Sequence, residues 1–198
     1  VATGGIDLSI GTVSMCGAVI GGVAYNVWGF PMWLSLLVII IVTIAFGALN
    51  GFLVSVCGMP PFVATMGTMM LSQGVGYIVS NVQTMRYPII TDPDGWFKRV
   101  FCKTVSGFPT GIIFVTILFV IALFLLNKTV LGKYACAIGS SKEAARLSGM
   151  DTVKWEWLVY IISGVFCGIG GIFYAASYTS VIPGSGNGNE MNALAAVV

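Results

Sequence analysis

Histidine is absent from this 198-residue chain, and charge is scarce. Without imidazole the chain lacks the commonest general base and metal ligand. Only 8% of residues are charged, against about 25% in an ordinary soluble domain. From Leu8 to Met85, a run of 78 residues, there is no Asp, Glu, Lys or Arg. A water-soluble fold needs charge in its exposed loops, so the fitting solvent for such a run is a bilayer. The five cysteines are scattered without CxxC spacing, which indicates neither a zinc site nor a disulfide framework. Cys102 alone sits in a polar stretch. There is no GxxxxGK[ST] loop for ATP, no HExxH, and no pair of carboxylates within one apolar segment. A membrane-embedded enzyme therefore has little to work with. A net charge of +2 gives nucleic acid no electrostatic footing. No basic leader is visible, Val1 is not a start residue, and the chain stops inside the apolar stretch Ala193 to Val198. The expectation is an internal piece of a longer protein, truncated at both ends.

What the chain does have is grease, 57% of residues with a mean hydropathy of +0.97. The first apolar segment, Leu8 to about Phe30, is Gly-rich, and Gly17 and Gly21 stand in the GxxxG spacing that lets helix backbones approach closely in lipid. The second, Trp33 to about Val56, is long enough to cross a hydrocarbon core of about 30 Å. Its polar exception, Asn50, needs a partner on another helix or in a cavity. Pro60-Pro61 then breaks the path. Phe62 to Ser80, with Thr65, Thr68, Ser72 and Gln73, reads either as one crossing or as two half-helices. Gly111 to Leu126 is the cleanest spanning helix. A fifth segment, Trp157 to about Ser177, holds Gly164 and Gly168 in GxxxG spacing, with Trp155 and Trp157 as interface anchors. A Gly-rich turn after Pro183 leads to the start of a sixth. The fold class is all-α, a polytopic transmembrane bundle with broken or re-entrant segments, and residues 1–198 form one domain.

Two islands of charge interrupt the apolar segments. Residues 81–109 carry turn signals at Pro88, Asp92-Pro93-Asp94-Gly95 and Pro109, with room for a surface helix around Trp96 to Phe101. Residues 128–156 form the second island. One crossing separates them, so they lie on opposite sides. Four basic residues in the first and five in the second leave the Lys/Arg rule close to a tie.

The second island reads as a docking element. Ser140 and Glu143 have the S-x-x-E spacing of a capping box. Glu143, Ala144, Ala145, Arg146 and Leu147 are good helix formers, and Gly149 sits where a left-handed residue stops a helix. The expected helix, about 141–148, places Ala144, Leu147 and Ser148 on one small, mildly apolar face suited to a groove on another protein. Packing on its own bundle is the alternative.

Several stretches carry a family resemblance. Gly4 to Gly11, then Asn50-Gly51 with Pro60 to Thr68, then Tyr134 and Ala135 with Ala137-Ile138-Gly139-Ser140 through Glu143 to Gly149, and finally Pro183-Gly184 through Gly188, Glu190 and Ala193 to Val198, resemble in order the permease subunit of ABC-type sugar importers, the branch that carries ribose, xylose and galactose. The long first island is the main departure. The resemblance implies a cytoplasmic-membrane, multi-pass transport subunit that is not itself an enzyme. It implies that 128–156 is cytoplasmic and 81–109 extracytoplasmic. It also implies partners: a separate ATPase that holds ATP-Mg and grips Gly139, Ser140, Glu143, Ala144, Ala145, Arg146, Leu147 and Gly149, a sugar-binding protein outside, a second permease copy and membrane lipid. No cofactor and no metal are expected on this chain. Candidates for the translocation path are Asp7, Asn50, Thr65, Gln73 and Glu190. The bland alternatives are a helix cap at Asp7, a turn carboxylate at Glu190 and helix–helix hydrogen bonds for the rest. Competing functions are a permease for nucleosides or branched-chain amino acids, and a membrane receptor or structural protein docking something other than an ATPase.

Overall fold

The computed structural model describes residues 3–102, 104–105 and 108–197. Lys103, counted with the first island, lies outside them, as do Val1 and Val198. Nine helices are described: α1 (Ile10–Asn26), α2 (Met32–Gly51), α3 (Pro61–Val79), α4 (Trp96–Cys102), α5 (Thr110–Lys128), α6 (Val130–Ser140), α7 (Lys142–Leu147), α8 (Thr152–Ser177) and α9 (Asn189–Val197). α2 runs on as a π-helical stretch, Phe52–Val56. A 3-10 turn, Pro93–Gly95, leads into α4, and two antiparallel pairs of two-residue strands complete the set: β1 (Met85–Arg86) with β4 (Ser180–Val181), and β2 (Thr104–Val105) with β3 (Phe108–Pro109). Among the described residues, four helices are long and apolar enough to cross a membrane, at 32–56, 61–79, 110–128 and 152–177. The architecture is an all-α polytopic membrane bundle.

α1 is the axis of the bundle. Every residue from Gly11 to Ala24 is buried, and the helix packs against α2, α3 and α8. Its Gly17-x-x-x-Gly21 face receives Ile39 and Thr43 of α2. α2 and α8 are the most intimate pair, because Gly164 and Gly168 remove the side chains that would hold them apart. A Cβ on Gly164 would stand 2.6 Å from the Thr43 carbonyl oxygen, and one on Gly168 would stand 2.5 Å from Thr43 Oγ1. α5 lies outside this core and packs on α4 and α6.

The two charge islands occupy opposite ends of α5. One end of the bundle gathers the first island, where Tyr25 Oη donates to Asp94 (3.0 Å) and Asn26 Nδ2 donates to the Arg86 carbonyl (2.7 Å). The other end gathers α6, α7 and the start of α8, close to Ser55 and Gly4.

Several expectations change in detail. Phe62 to Ser80 is a single helix, since Pro61 starts it and no residue after it lacks a backbone donor. The last long helix begins at Thr152, five residues before Trp157, because the Asp151 carboxylate caps it by accepting the Lys154 amide (3.1 Å). α6 has no counterpart in the sequence reading; Thr129 caps it by accepting the Gly132 amide. The helix around Trp96 to Phe101 exists but is not a surface helix. Its Phe97 is fully buried against Tyr87, in the same core as Met15, Val19 and Ile39. Burial pushes the Tyr87 phenol far above its ordinary range, and its hydroxyl donates to the Ala18 carbonyl (2.5 Å).

Beyond β4 the chain turns back into the bundle as irregular backbone. Pro183 and Gly186 are buried, and Gly186 lies against Gly11 near the start of α1. Non-helical backbone at membrane depth is tolerated where protein surrounds it, and α1 and α3 do so here.

Candidate functional site

Two arrangements hold the residues singled out from sequence. The first is α7 and its joints. Ser141, not Ser140, is the cap: its extended backbone (φ −164°) ends α6, and its Oγ accepts the Ala144 amide at 3.2 Å. The reason is α6 itself, which runs through Ser140 and turns that hydroxyl back to donate to the Cys136 carbonyl (3.0 Å). Glu143 is thus in the first turn as an acidic residue at the helix N-terminus, a favourable place for negative charge, and is not the return arm of a capping box.

The other end of α7 stops as expected. Gly149 adopts φ +82°, its amide donates to Arg146 O (3.0 Å), and the Met150 amide donates to Ala145 O (3.2 Å). That is a Schellman closure, which satisfies carbonyls a helix end would otherwise leave unpaired. Between the caps, Ala145 is buried while Glu143, Ala144, Arg146 and Ser148 are exposed, and Leu147 is 85% exposed. The Ala144, Leu147, Ser148 face has no partner within the described residues. Lys142 and Glu156 close an ion pair at 2.6 Å beneath the helix. An open depression of about 410 Å³ beside them is lined by Ser55, Lys142, Glu143, Arg146, Thr152 and Val153.

The second arrangement is a seam of buried hydroxyls and amides between α1, α2 and α3. Asp7 Oδ1 accepts from the Ser9 amide (2.9 Å) and the Ser9 hydroxyl (2.7 Å). Asn50 Nδ2 donates to Ser9 Oγ (2.8 Å), and Thr68 Oγ1 donates to Asn50 Oδ1 (2.6 Å). Thr65 Oγ1 accepts the Leu8 amide (3.2 Å), and Ser72 Oγ donates to Thr12 Oγ1 (2.9 Å). Farther along, Gln73 Nε2 donates to Asn187 Oδ1 (2.5 Å), and the Glu190 carboxylate accepts the Gly188 amide (3.0 Å). Asp7, Asn50 and Thr65 are therefore brought together, with Gln73 and Glu190 at the neighbouring end across the Gly11–Gly186 contact. Ser9, Thr12, Thr68, Ser72 and Asn187 complete the seam; Thr68 and Ser72 stand out in the sequence as polar residues of their segment, but none of the five is among the path candidates. A signal existed: Thr65, Thr68 and Ser72 recur at intervals of three and four on one helix face, matched by Ser9 and Thr12.

Chemically the seam, hydroxyls and amides with the Asp7 and Glu190 carboxylates beside them, can exchange hydrogen bonds with a hydroxylated solute. In this conformation it is closed. The cavity that touches it, lined by Thr12, Ser72, Gln73, Gly184 and Gly186 among others, measures about 10 Å³, room for roughly one water and far too little for a sugar ring. Among the described residues no group of three or more His, Cys, Asp or Glu could hold a metal ion.

The family described as the branched-chain amino acid transport system permease component matches residues 1–198. The chain belongs to this permease family. Among curated relatives, this permease chain is 34% identical to the fructose import permease protein FruF of Bifidobacterium longum, over 100% of its own length and 55% of FruF. It is 32% identical to the ribose import permease protein RbsC of Escherichia coli, over 100% of its length and 61% of that protein. It is 31% identical to the D-allose transport system permease protein AlsC of Escherichia coli, over 98% and 58%. The permease chain thus spans between 55% and 61% of the length of these relatives. No solved structure gives a significant match.

Proposed function

We propose that this chain is the membrane-spanning permease part of an ATP-binding-cassette importer that moves a monosaccharide across the cytoplasmic membrane. The observation that carries the reading is α7, a six-residue helix capped at both ends that offers Leu147 and its neighbours to the outside of the bundle. Two turns of helix are marginal in water alone, so a doubly capped one with an apolar face points to a docking partner. The partner is a separate ATPase holding ATP-Mg, and the face it grips runs from Gly139 and Ser140 through Glu143, Ala144, Arg146 and Leu147 to Gly149, with Ala145 buried beneath it. The 128–156 island is then cytoplasmic and the 81–109 island extracytoplasmic, where a sugar-binding protein delivers cargo. Two permease copies line the pathway, and Asp7, Asn50, Thr65, Gln73 and Glu190 line it when the seam opens. A neutral polyol suits a seam of hydroxyls and amides. The names of the curated relatives, fructose, ribose and allose permeases, support sugar as the cargo class.

A second reading, a branched-chain amino acid, is favoured by the family's description. Competition by ribose, fructose, allose and leucine against uptake in proteoliposomes separates the two. Co-purification of an ATPase with the full-length permease, and ATP-driven sugar uptake by that complex, test the main reading; a permease that binds no ATPase would sink it.

Gly149 gives a sharper test of docking. A side chain there meets nothing within 4 Å, so its role is conformational. Valine in the left-handed region costs about 1–2 kcal/mol or more, whereas Asn is tolerated there. Gly149→Val is expected to uncouple ATP hydrolysis from uptake while insertion stays intact, and Gly149→Asn to retain coupling. Sidedness is checked by thiol labelling. Cys57 and Cys136, both exposed, should react from the cytoplasmic face, and Thr91→Cys, at an exposed position of the first island, from the outer face; the Cys102 side chain lies outside the described ones.

A further inference from the structure

Resting on the importer reading, we propose that the Lys142–Glu156 ion pair is the tie that fixes α7 to α8, and so positions the docking helix to move the bundle. α7 has little else to hold it. It is six residues long, its preceding joint at Ser141 is a single extended residue, and Ala145 is its one buried residue. Glu156, by contrast, belongs to the second turn of α8, and its side chain is only 7% exposed against 48% for Lys142. Lys142 Nζ donates to Glu156 Oε2 at 2.6 Å, short for a charge-assisted contact. The asymmetry of burial matters. A carboxylate sunk in the bundle is costly to leave unpaired, so it holds the lysine, and with it the first turn of α7, in one place.

What lies behind Glu156 makes the tie mechanically useful. Four residues on, Tyr160 is buried against the end of α2, and Gly164 and Gly168 then bring α8 into backbone contact with Thr43 and Ile40. Trp157 Nε1 donates to the Ala48 carbonyl (2.8 Å), a further tie between α8 and α2 at this level. A displacement of α7 is therefore delivered to α8 and α2 together. Stiff elements at packed interfaces are what rigid-body switching requires. Lys142 and Glu156 are positioning residues: neither touches the seam.

The test has two readouts on the full-length permease. A nitroxide on Leu147→Cys, in a cysteine-free background in nanodiscs, reports by EPR how firmly α7 is held. Lys142→Met should give a mobile spectrum and Lys142→Arg an immobile one. Lys142→Met combined with Glu156→Gln removes the buried charge along with the lysine, so the bundle is spared an unpaired carboxylate while the tie stays broken; its spectrum should be mobile. An immobile label in that double variant overturns the tie. The second readout is sugar taken up per ATP hydrolysed by the complex with native Leu147. It should fall roughly tenfold or more in Lys142→Met/Glu156→Gln, because the docking helix no longer acts on a fixed lever, and stay near the unmodified value in Lys142→Arg. A mobile α7 with unchanged uptake per ATP overturns the coupling role. If the unmodified complex moves no sugar at all, the importer reading fails, and the spectra still decide whether the tie exists.

Discussion

α5 and α8 look alike as strings of letters and differ completely as parts of a fold. Both are long, apolar and nearly free of charge along the membrane. Yet none of the 19 residues of α5 is buried, while α8 buries ten, including Gly164, Gly168 and Gly171. The difference lies in the small residues. In lipid there is no hydrophobic gain in bringing two helices together, so association depends on close packing and on hydrogen bonds. α8 has the glycines to approach α2. α5 presents Ile, Val, Phe and Leu on every side, which lipid chains solvate as well as protein does. Apolarity therefore puts a helix in the membrane, and glycine decides which helices find one another.

The largest effect expected from breaking this contrast is at Gly164. Leucine there would meet the Thr43 carbonyl, which is backbone and cannot swing aside. Overpacking in a close-packed interior typically costs 1–3 kcal/mol, and a backbone collision stands at the top of that range. Gly164→Leu should leave little folded permease in detergent. Thiol-reactive fluorescence on heating measures this once Cys57, Cys102 and Cys136 are replaced by Ser, because Cys16 and Cys167 are buried in the bundle and become reactive only when it opens. Unaltered melting of Gly164→Leu would show that α2 and α8 are not held at backbone contact.

Next in size is Asn50. Its amide bonds Ser9 on α1 and Thr68 on α3, joining three helices at one residue. Interhelical hydrogen bonds in membranes average about 0.6 kcal/mol, with maxima near 1.7. Asn50→Leu removes both, while the Ser9 hydroxyl keeps Asp7 and the Thr68 hydroxyl keeps the Thr65 carbonyl. A loss of about 1–2 kcal/mol is expected, less than for Gly164→Leu. If Asn50 also lines the opened pathway, uptake should fall further than the melting shift accounts for.

These two residues show how far the sequence could be read. The absence of charge over Leu8 to Met85 already determined the solvent, and the GxxxG pairs already marked the packing faces. Asn50 was legible as a residue in need of a partner. Which partner it finds was not legible, because Ser9 and Thr68 are brought to it by tertiary packing that no local pattern encodes. The cap at Ser141 was missed for a related reason. Ser140-Ser141 offers two hydroxyls one residue apart, and the choice between them depends on where α6 ends. α6 itself escaped notice because Gly132 and Gly139 weaken its helical signal. The Lys142–Glu156 pair spans 14 residues and the whole of α7, a separation at which periodicity carries no information.

The smallest expected effect lies on α5, and it tests the other half of the contrast. Phe119, Val120 and Phe124 are 62%, 57% and 61% exposed, so an apolar exchange there trades one lipid contact for another. Phe119→Leu and Phe124→Leu should change stability by no more than about 0.5 kcal/mol, with uptake preserved. The same exchange at Phe97, which is fully buried beneath Tyr87, should cost more, because a core leaves a void where lipid would flow in to fill it. Comparing Phe119→Leu with Phe97→Leu in one melting series holds the chemistry of the substitution constant and varies only the surroundings. Equal losses would mean that α5 is covered by protein in the assembled transporter, with its exposed face belonging to an interface. A loss confined to Phe97 leaves α5 facing lipid.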